Sequence, residues 1–185
     1  MARFKNIKQI SKAHYRADIP WDGLEDNLRR WAKYGNNDLE AMMNPDFQRG
    51  HVWTREQQIG FVEFMLRGGE SGQNIYWNCP GWMGDFRGPM QLVDGLQRIT
   101  AILAFLHNEI PAFGHLLNEY EEDWFLRGLY LTFQVGNLPT KAEVPQWYLD
   151  LNSGVAHTDQ ELTRVRQMLA DKLGNELAKN HKKLI

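Results

Sequence analysis

The chain has 185 residues with 43% hydrophobic content, which fits a single domain over residues 1–185 with a buried core. A net charge of −2 and a pI near 6.3 give no global signature of nucleic-acid binding. No apolar run approaches the ~20 residues of a membrane span, and the N-terminus lacks the apolar region of a secretion signal. A single cysteine excludes a disulfide framework and a cysteine-rich zinc site. We therefore expect a cytoplasmic protein without membrane contact.

The charge is concentrated at the two ends of the chain. The basic N-terminal segment, residues 1–20, carries five Lys or Arg residues against one Asp, and the C-terminal tail, residues 175–185, carries three Lys residues. We interpret both ends as solvated, with DNA-binding arms as the less favoured alternative.

The first half of the chain predicts two helices and a strand. Asp22 with Glu25 forms a capping-box pattern for a helix over 22–34, which ends before Gly35. The breakers in "MMNPDFQRGHVW" favour a short strand or an extended loop around 47–49. Thr54 with Gln57 caps a helix to about residue 67, which stops at Gly68-Gly69. "NIYWN" is then a candidate strand.

The second half continues with "CPGWMGDFRGP", which reads as an exposed, mobile loop. A strand over 90–93 precedes a helix whose buried stripe is predicted at Ile99, Leu103 and Leu106. "LYLTFQV" alternates as a half-buried strand. A helix over 141–151, the turn "LNSGVAHT" and a last helix over 158–173 complete the prediction. Interspersed short strands and helices indicate an α+β domain with a small mixed sheet and surrounding helices.

The turn "DGLQR", residues 94–98, allows two interpretations. Asp94 as N-cap and Gln97 three residues later form another capping-box pattern, which spacing alone slightly favours. Arg98 remains unexplained by that pattern, because a cation in the first turn opposes the helix dipole. A bound anion would explain it, since helix amides and a guanidinium hold phosphate well. Asp94 would then hold a Mg²⁺ ion or orient a water molecule.

Two further segments carry polar groups that could face a ligand. In "FQRGHVW", Arg49 is either a solvated side chain or a second anion contact, and His51 is more typical of a structural histidine. In "YLDLNSGVAHT", Asn152 either ends a helix or points its amide at a ligand. A phosphate-binding P-loop, an H-E-x-x-H zinc pair, an EF-hand loop and a serine nucleophile elbow are all absent from the sequence.

Taken in register, these three segments resemble the DGQQR-motif domain of GmrSD-type modification-dependent restriction systems, within the wider ParB/sulfiredoxin-like superfamily. The matching motifs are F-Q-R-x-x-V-W at 47–53, D-G-x-Q-R-[LI]-T at 94–100, and the Asn-Ser-Gly turn at 152–154 before a capped helix. The similarity spans about residues 39–173, most of the chain.

The resemblance implies a ParB-like α+β fold whose DGQQR turn binds NTP phosphates and, in several members, supports NTP hydrolysis. On that basis the candidate catalytic residues are Asp94, Arg98 and Arg49, with Asp94 also a candidate Mg²⁺ ligand. The candidate nucleotide- and phosphate-binding residues are Gln48, Arg49, Gly95, Gln97, Arg98, Thr100 and Asn152. The partners it implies are a nucleotide and either DNA or a restriction or defence protein, and self-association into homo-oligomers stays open.

Two departures from the family pattern bear on function. Leu96 stands where the motif has its first glutamine, which weakens hydrolysis if that position faces the nucleotide and changes nothing if it faces the core. The chain also ends without an HNH-type nuclease domain, so we expect no self-contained restriction endonuclease. The leading expectation is an NTPase in DNA-linked processes such as restriction, anti-restriction or modified-DNA handling, including phage–host conflict. One alternative is a non-enzymatic regulatory or inhibitory binding module that imitates a restriction subunit and contacts partners through the loop with Trp82 and Phe86. The other is a phosphotransferase or DNA nickase of the ParB-like superfamily.

Overall fold

A computed structural model describes residues 10, 13–35, 38–47, 52–82, 84–85, 88–121, 123–139, 143–152, 167 and 170–171. Its central element is a four-stranded sheet with the order β1-β4-β2-β3. The strands are β1 (Tyr15–Pro20), β2 (Asn74–Asn78), β3 (Gln91–Asp94) and β4 (Tyr130–Gly136). β4 runs antiparallel to β1 but parallel to β2, and β3 runs antiparallel to β2. The sheet is therefore mixed, which confirms the predicted α+β class.

The helices that the structure describes connect and cover these strands. They are α1 (Leu24–Tyr34), α2 (Leu39–Met43), α3 (Arg55–Leu66), α4 (Leu96–Leu106) and α5 (Glu143–Asn152). Short 3₁₀ turns lie at Trp21–Gly23, Leu117–Glu119 and Asp123–Gly128. Within the described ranges, α3 packs on α4, and α2 and α5 contact β3. None of these helices has the length and apolarity that crossing a bilayer requires.

Two hydrophobic clusters cover the two faces of the sheet. On β3, Leu92 belongs to the larger cluster and the adjacent Val93 to the smaller, because neighbouring strand residues point to opposite faces. The smaller cluster contains Phe47 and the α5 side chains Val144, Trp147, Tyr148 and Leu149. The larger cluster includes buried side chains of α1, α3 and α4. Val93, which precedes the turn between β3 and α4, and Leu96, which follows it, therefore pack into different clusters.

Several local predictions are confirmed. Thr54 and Gln57 form the reciprocal capping box at the start of α3, where each side chain accepts a hydrogen bond from the other residue's backbone amide. The chain leaves α3 through Gly68, whose φ of 83° lies in the left-handed region. The strand predicted from "NIYWN" is β2, with the same bounds.

Other local predictions are wrong. Asp22 does not cap a helix, because it lies in a 3₁₀ turn and α1 begins after Gly23 without a side-chain cap. Strand β1 was not predicted, and it occupies part of the N-terminal segment that we interpreted as solvated. The loop after β2 is exposed at Gly84 and Asp85, as predicted, but its first residue, Cys79, is fully buried, and burial raises the pKa of the Cys79 thiol to about 11. Trp82 packs against the rings of Tyr15 and Trp31, at centroid distances of 5.5 and 5.2 Å.

Helix α4 is buried more widely than its predicted stripe. Ile99 is fully buried as expected, whereas Leu103 and Leu106 are only partly buried. Buried side chains instead continue over Leu96, Ala101, Ile102, Ala104 and Phe105. Of the helix predicted over 158–173, only residues 167 and 170–171 are among the described residues. Phe86 also lies outside them.

Candidate phosphate-binding turn

The turn from β3 to α4 is built around Gly95. This residue is the N-cap of α4 and has φ 122° and ψ 6°, a conformation that favours glycine. A Cβ at this position would lie 2.5 Å from Cδ1 of Ile75 on β2. Glycine therefore lets the start of α4 pack directly against the neighbouring strand.

The predicted capping box at Asp94 and Gln97 is not formed. Helix α4 has no side-chain cap, and the amides of Arg98 and Ile99 both donate to the carbonyl of Gly95, at 3.1 and 3.0 Å. The Asp94 carboxylate instead accepts from Nη2 of Arg98 at 2.5 Å, because the guanidinium four residues on lies on the same side of the turn. The N-cap glycine thus supplies no side-chain acceptor to the first backbone amides of α4.

Arg98 fastens α4 to the loop that precedes β2. Its Nη1 donates to the carbonyl oxygens of Gly72, at 2.8 Å, and Asn74, at 2.7 Å, while Nη2 binds Asp94. Only 16% of its side chain is exposed. The cation that looked misplaced in the sequence therefore has three protein acceptors, and it neutralises Asp94.

Gln97 fastens the other side of the same region. Its Oε1 accepts hydrogen bonds from the backbone amides of Val52, at 2.9 Å, and Trp53, at 3.0 Å. These residues lead into α3, whereas Gly72 and Asn74 follow it. Gln97 and Arg98 together hold the chain on both sides of α3 against the start of α4.

Position 96 faces the core. Leu96 is 7% exposed and belongs to the larger hydrophobic cluster. Leu96 replaces the first glutamine of the family motif. Because position 96 faces the core, this replacement should leave the surface that a ligand would contact unchanged. A glutamine here would have to bury its amide among apolar side chains.

Two other candidate residues make bonds within their own helices. The Thr100 hydroxyl donates to the carbonyl of Leu96 at 2.8 Å. Nδ2 of Asn152, a residue that is 5% exposed, donates to the carbonyl of Tyr148 at 2.7 Å. Gln48, Arg49 and His51 lie outside the described residues, so their predicted roles stay predictions.

The electrostatics of the turn come mainly from the backbone. Because Asp94 and Arg98 neutralise one another, attraction for an anion would come from the first-turn amides and the positive end of the α4 dipole. Over the described ranges, no group of three or more His, Cys, Asp or Glu side chains is placed to hold a metal ion. A divalent ion at Asp94, whose side chain is 31% exposed, would take most of its oxygen ligands from phosphate and water.

The hydrogen bonds that organise this turn were not predicted. Their acceptors and donors are main-chain groups of residues 52, 53, 72 and 74, and such groups have no residue-type signature. The only sequence features that mark these two segments are the glycines at 68, 69 and 72 and the V-W pair after F-Q-R-x-x.

Comparison with known proteins identifies one family. A sequence model described as the N-terminal domain of GmrSD restriction endonuclease matches residues 31–183. No curated protein and no solved structure matches significantly.

Proposed function

Since this chain belongs to the N-terminal domain family of the GmrSD restriction endonucleases, we propose that it binds a nucleoside triphosphate at the start of α4 and hydrolyses it. Membership of the family gives the chain a DNA-related role in a restriction system. Nucleotide binding and hydrolysis are the finer part of the proposal, and they rest on the turn at 94–98.

The observation that carries the proposal is the N-terminus of α4, whose N-cap residue is a glycine. An eleven-residue helix that starts from a fixed glycine, without a side-chain cap, presents its first amides in a constant direction. Such a terminus stabilises phosphate oxygens through hydrogen bonds and the helix dipole. Gly95 and the Arg98 bonds hold this terminus in place before a ligand arrives, so little ordering is needed on binding.

Asp94 is the residue that we assign to the chemical step. Arg98 engages its Oδ2, which leaves Oδ1 to orient a water molecule or to ligate a Mg²⁺ ion. In the proposed reaction, this water attacks the γ-phosphorus and the bond from that phosphorus to the β–γ bridging oxygen breaks. The products are a nucleoside diphosphate and inorganic phosphate. Arg49, three residues before the segment that Gln97 holds, would add positive charge.

Calorimetry with ATP, GTP, CTP and UTP, with and without Mg²⁺, tests binding, and phosphate release tests hydrolysis. Asp94→Asn keeps an acceptor for Arg98 but removes the charge. We expect it to lower the rate of hydrolysis by about 10²-fold or more, with the dissociation constant changed only a few-fold. Glu25→Gln is the matched control, because Glu25 also pairs with an arginine four residues on.

Absence of binding to all four nucleotides under both conditions would contradict the proposal. Binding without phosphate release would favour a second candidate, a module that senses nucleotide without hydrolysing it. The three acceptors around Arg98 favour that candidate, because they leave fewer guanidinium donors for a developing phosphate charge.

A further inference from the structure

A turn at Phe113 presents an aromatic ring in an unusual backbone conformation. Phe113 has φ 48° and Gly114 has φ 83°, and the backbones of Ala112 and His115 exchange hydrogen bonds of 2.8 and 3.0 Å. Two positive φ values between such partners define a type I′ turn, whose first position normally carries Asn, Asp or Gly. The Phe113 residue is nevertheless 51% exposed.

Neighbouring groups fix this turn. Oε1 of Glu63 on α3 accepts from the amide of Phe113 at 2.7 Å, and the Tyr120 hydroxyl donates to the carbonyl of Ala112 at 2.5 Å. The ring of His115 lies against that of Tyr120, with centroids 6.0 Å apart. The turn is thus held in place while its most apolar side chain stays half in solvent.

The surrounding chain is acidic. Between Arg98 and Arg127 the sequence has five carboxylates, namely Glu109, Glu119, Glu121, Glu122 and Asp123, and no Lys or Arg. The side chains of Glu109 and Glu119 are 66% and 54% exposed. A partner that buries Phe113 must bring positive charge to its rim. DNA phosphates would be repelled here.

We propose that the surface formed by Phe113, His115 and Tyr120, within the acidic stretch that contains Glu109, Glu119 and Glu121, docks a basic amphipathic helical segment of a partner protein. Phe113 is the anchor that inserts between apolar side chains of that helix, and the carboxylates pair with its Lys or Arg residues. This surface is separate in sequence from the turn at 94–98, and its role does not depend on nucleotide binding.

Two synthetic peptides test the proposal: a lysine–leucine peptide patterned as an amphipathic helix, and a glutamate–leucine peptide with the same apolar face. In fluorescence anisotropy with the full chain, we expect the lysine–leucine peptide to bind at least about tenfold more tightly. Phe113→Asn should weaken its binding by about tenfold or more. Tyr34→Asn, at another exposed aromatic side chain, is the control and should leave binding unchanged.

Thermal unfolding separates docking from a structural role of the ring. Because asparagine suits the backbone of the turn better than phenylalanine, Phe113→Asn should raise the Tm by about 2–4 °C. A lowered Tm would overturn the proposal, since Phe113 would then support the fold. Equal peptide affinities of the wild type and Phe113→Asn would also overturn it. So would Phe113-dependent binding of duplex DNA, or dimerisation that Phe113→Asn abolishes.

Discussion

Helices α1 and α4 share two features at their starts but differ in what surrounds their first turns. Each starts after a glycine without a side-chain cap, and each has an acid–arginine pair four residues apart with a 2.5 Å contact, Glu25–Arg29 and Asp94–Arg98. On α1 the arginine side chain is 62% exposed, and on α4 it is 16% exposed. The same spacing thus gives a surface pair worth about 0.3–0.5 kcal/mol in one helix, and a fixed junction between three segments in the other.

Among substitutions at these two helix starts, Gly95→Ala should have the largest effect on the free energy of unfolding. A Cβ at Gly95 meets Ile75 in a backbone conformation that alanine avoids, whereas one at Gly23 meets only Nδ2 of Asn27, at 3.4 Å, with φ −106°. We expect Gly95→Ala to lower the free energy of unfolding by about 2–4 kcal/mol. Gly23→Ala should change it by less than about 0.5 kcal/mol. Urea unfolding of the two variants checks this, and equal costs would show that the α4 turn is not specially constrained.

Arg98→Ala should have the next largest effect on the free energy of unfolding. It leaves Asp94 and the carbonyls of Gly72 and Asn74 without their donor in a mostly buried place, so we expect a loss of about 2–3 kcal/mol. Arg29→Ala should cost no more than about 0.5 kcal/mol. The same unfolding measurement applies, and a small Arg98 effect would mean that solvent readily replaces its bonds.

Gln97→Leu extends the comparison to the segment before α3. It removes the acceptor of two backbone amides, and we expect a loss of about 1–2 kcal/mol with faster hydrogen exchange at Val52 and Trp53. Gln97→Glu retains an acceptor and should restore most of the protection. Gln146→Leu, at an exposed residue whose side-chain amide donates to Asp150, is the control. Unchanged exchange at Val52 would rule out this role of Gln97.

The smallest predicted effect is on stability at acid pH, and it involves the surface pair Glu25–Arg29. Hydrogen bonds from His107 and then from Arg29 hold the pKa of Glu25 below its ordinary value of 4.5. A carboxylate that is more acidic when folded contributes stability above its ordinary pKa, and that contribution is lost as the pH falls through the lowered value. Glu25→Gln should therefore flatten the acid side of the stability–pH profile, by less than about 0.5 kcal/mol after solvent screening. An unchanged profile would show that solvent screens this network completely.

The sequence predicts elements well where the determining contacts are local. The capping box of α3 involves only residues 54 and 57, and β2 is a compact run of β-forming side chains. Strand β1 escaped prediction because it lies at the edge of the sheet and buries only Ile19, so it shows no apolar alternation.

At the candidate site, by contrast, the determining contacts are distant in sequence, and the sequence predicts them poorly. The position of the turn and its glycine follow from the motif, but the partner of Asp94 does not. Asp94 as a cap and Asp94 as the partner of Arg98 have the same sequence pattern, and the choice depends on carbonyls that the fold brings from residues 72 and 74. The burial of Leu96 likewise depends on the rotation of α4 about its own axis relative to β2, which a single motif does not specify.

The strand order has a consequence for how the protein is made. Ile19 on β1 pairs with Leu131 on β4, so the first strand leaves the ribosome more than a hundred residues before its partner. At about 5–20 residues per second, that interval lasts roughly 5–20 seconds. During synthesis β2 and β3 can therefore pair before β4 is made, whereas β1 has no strand to pair with until β4 follows, although β1 is translated first.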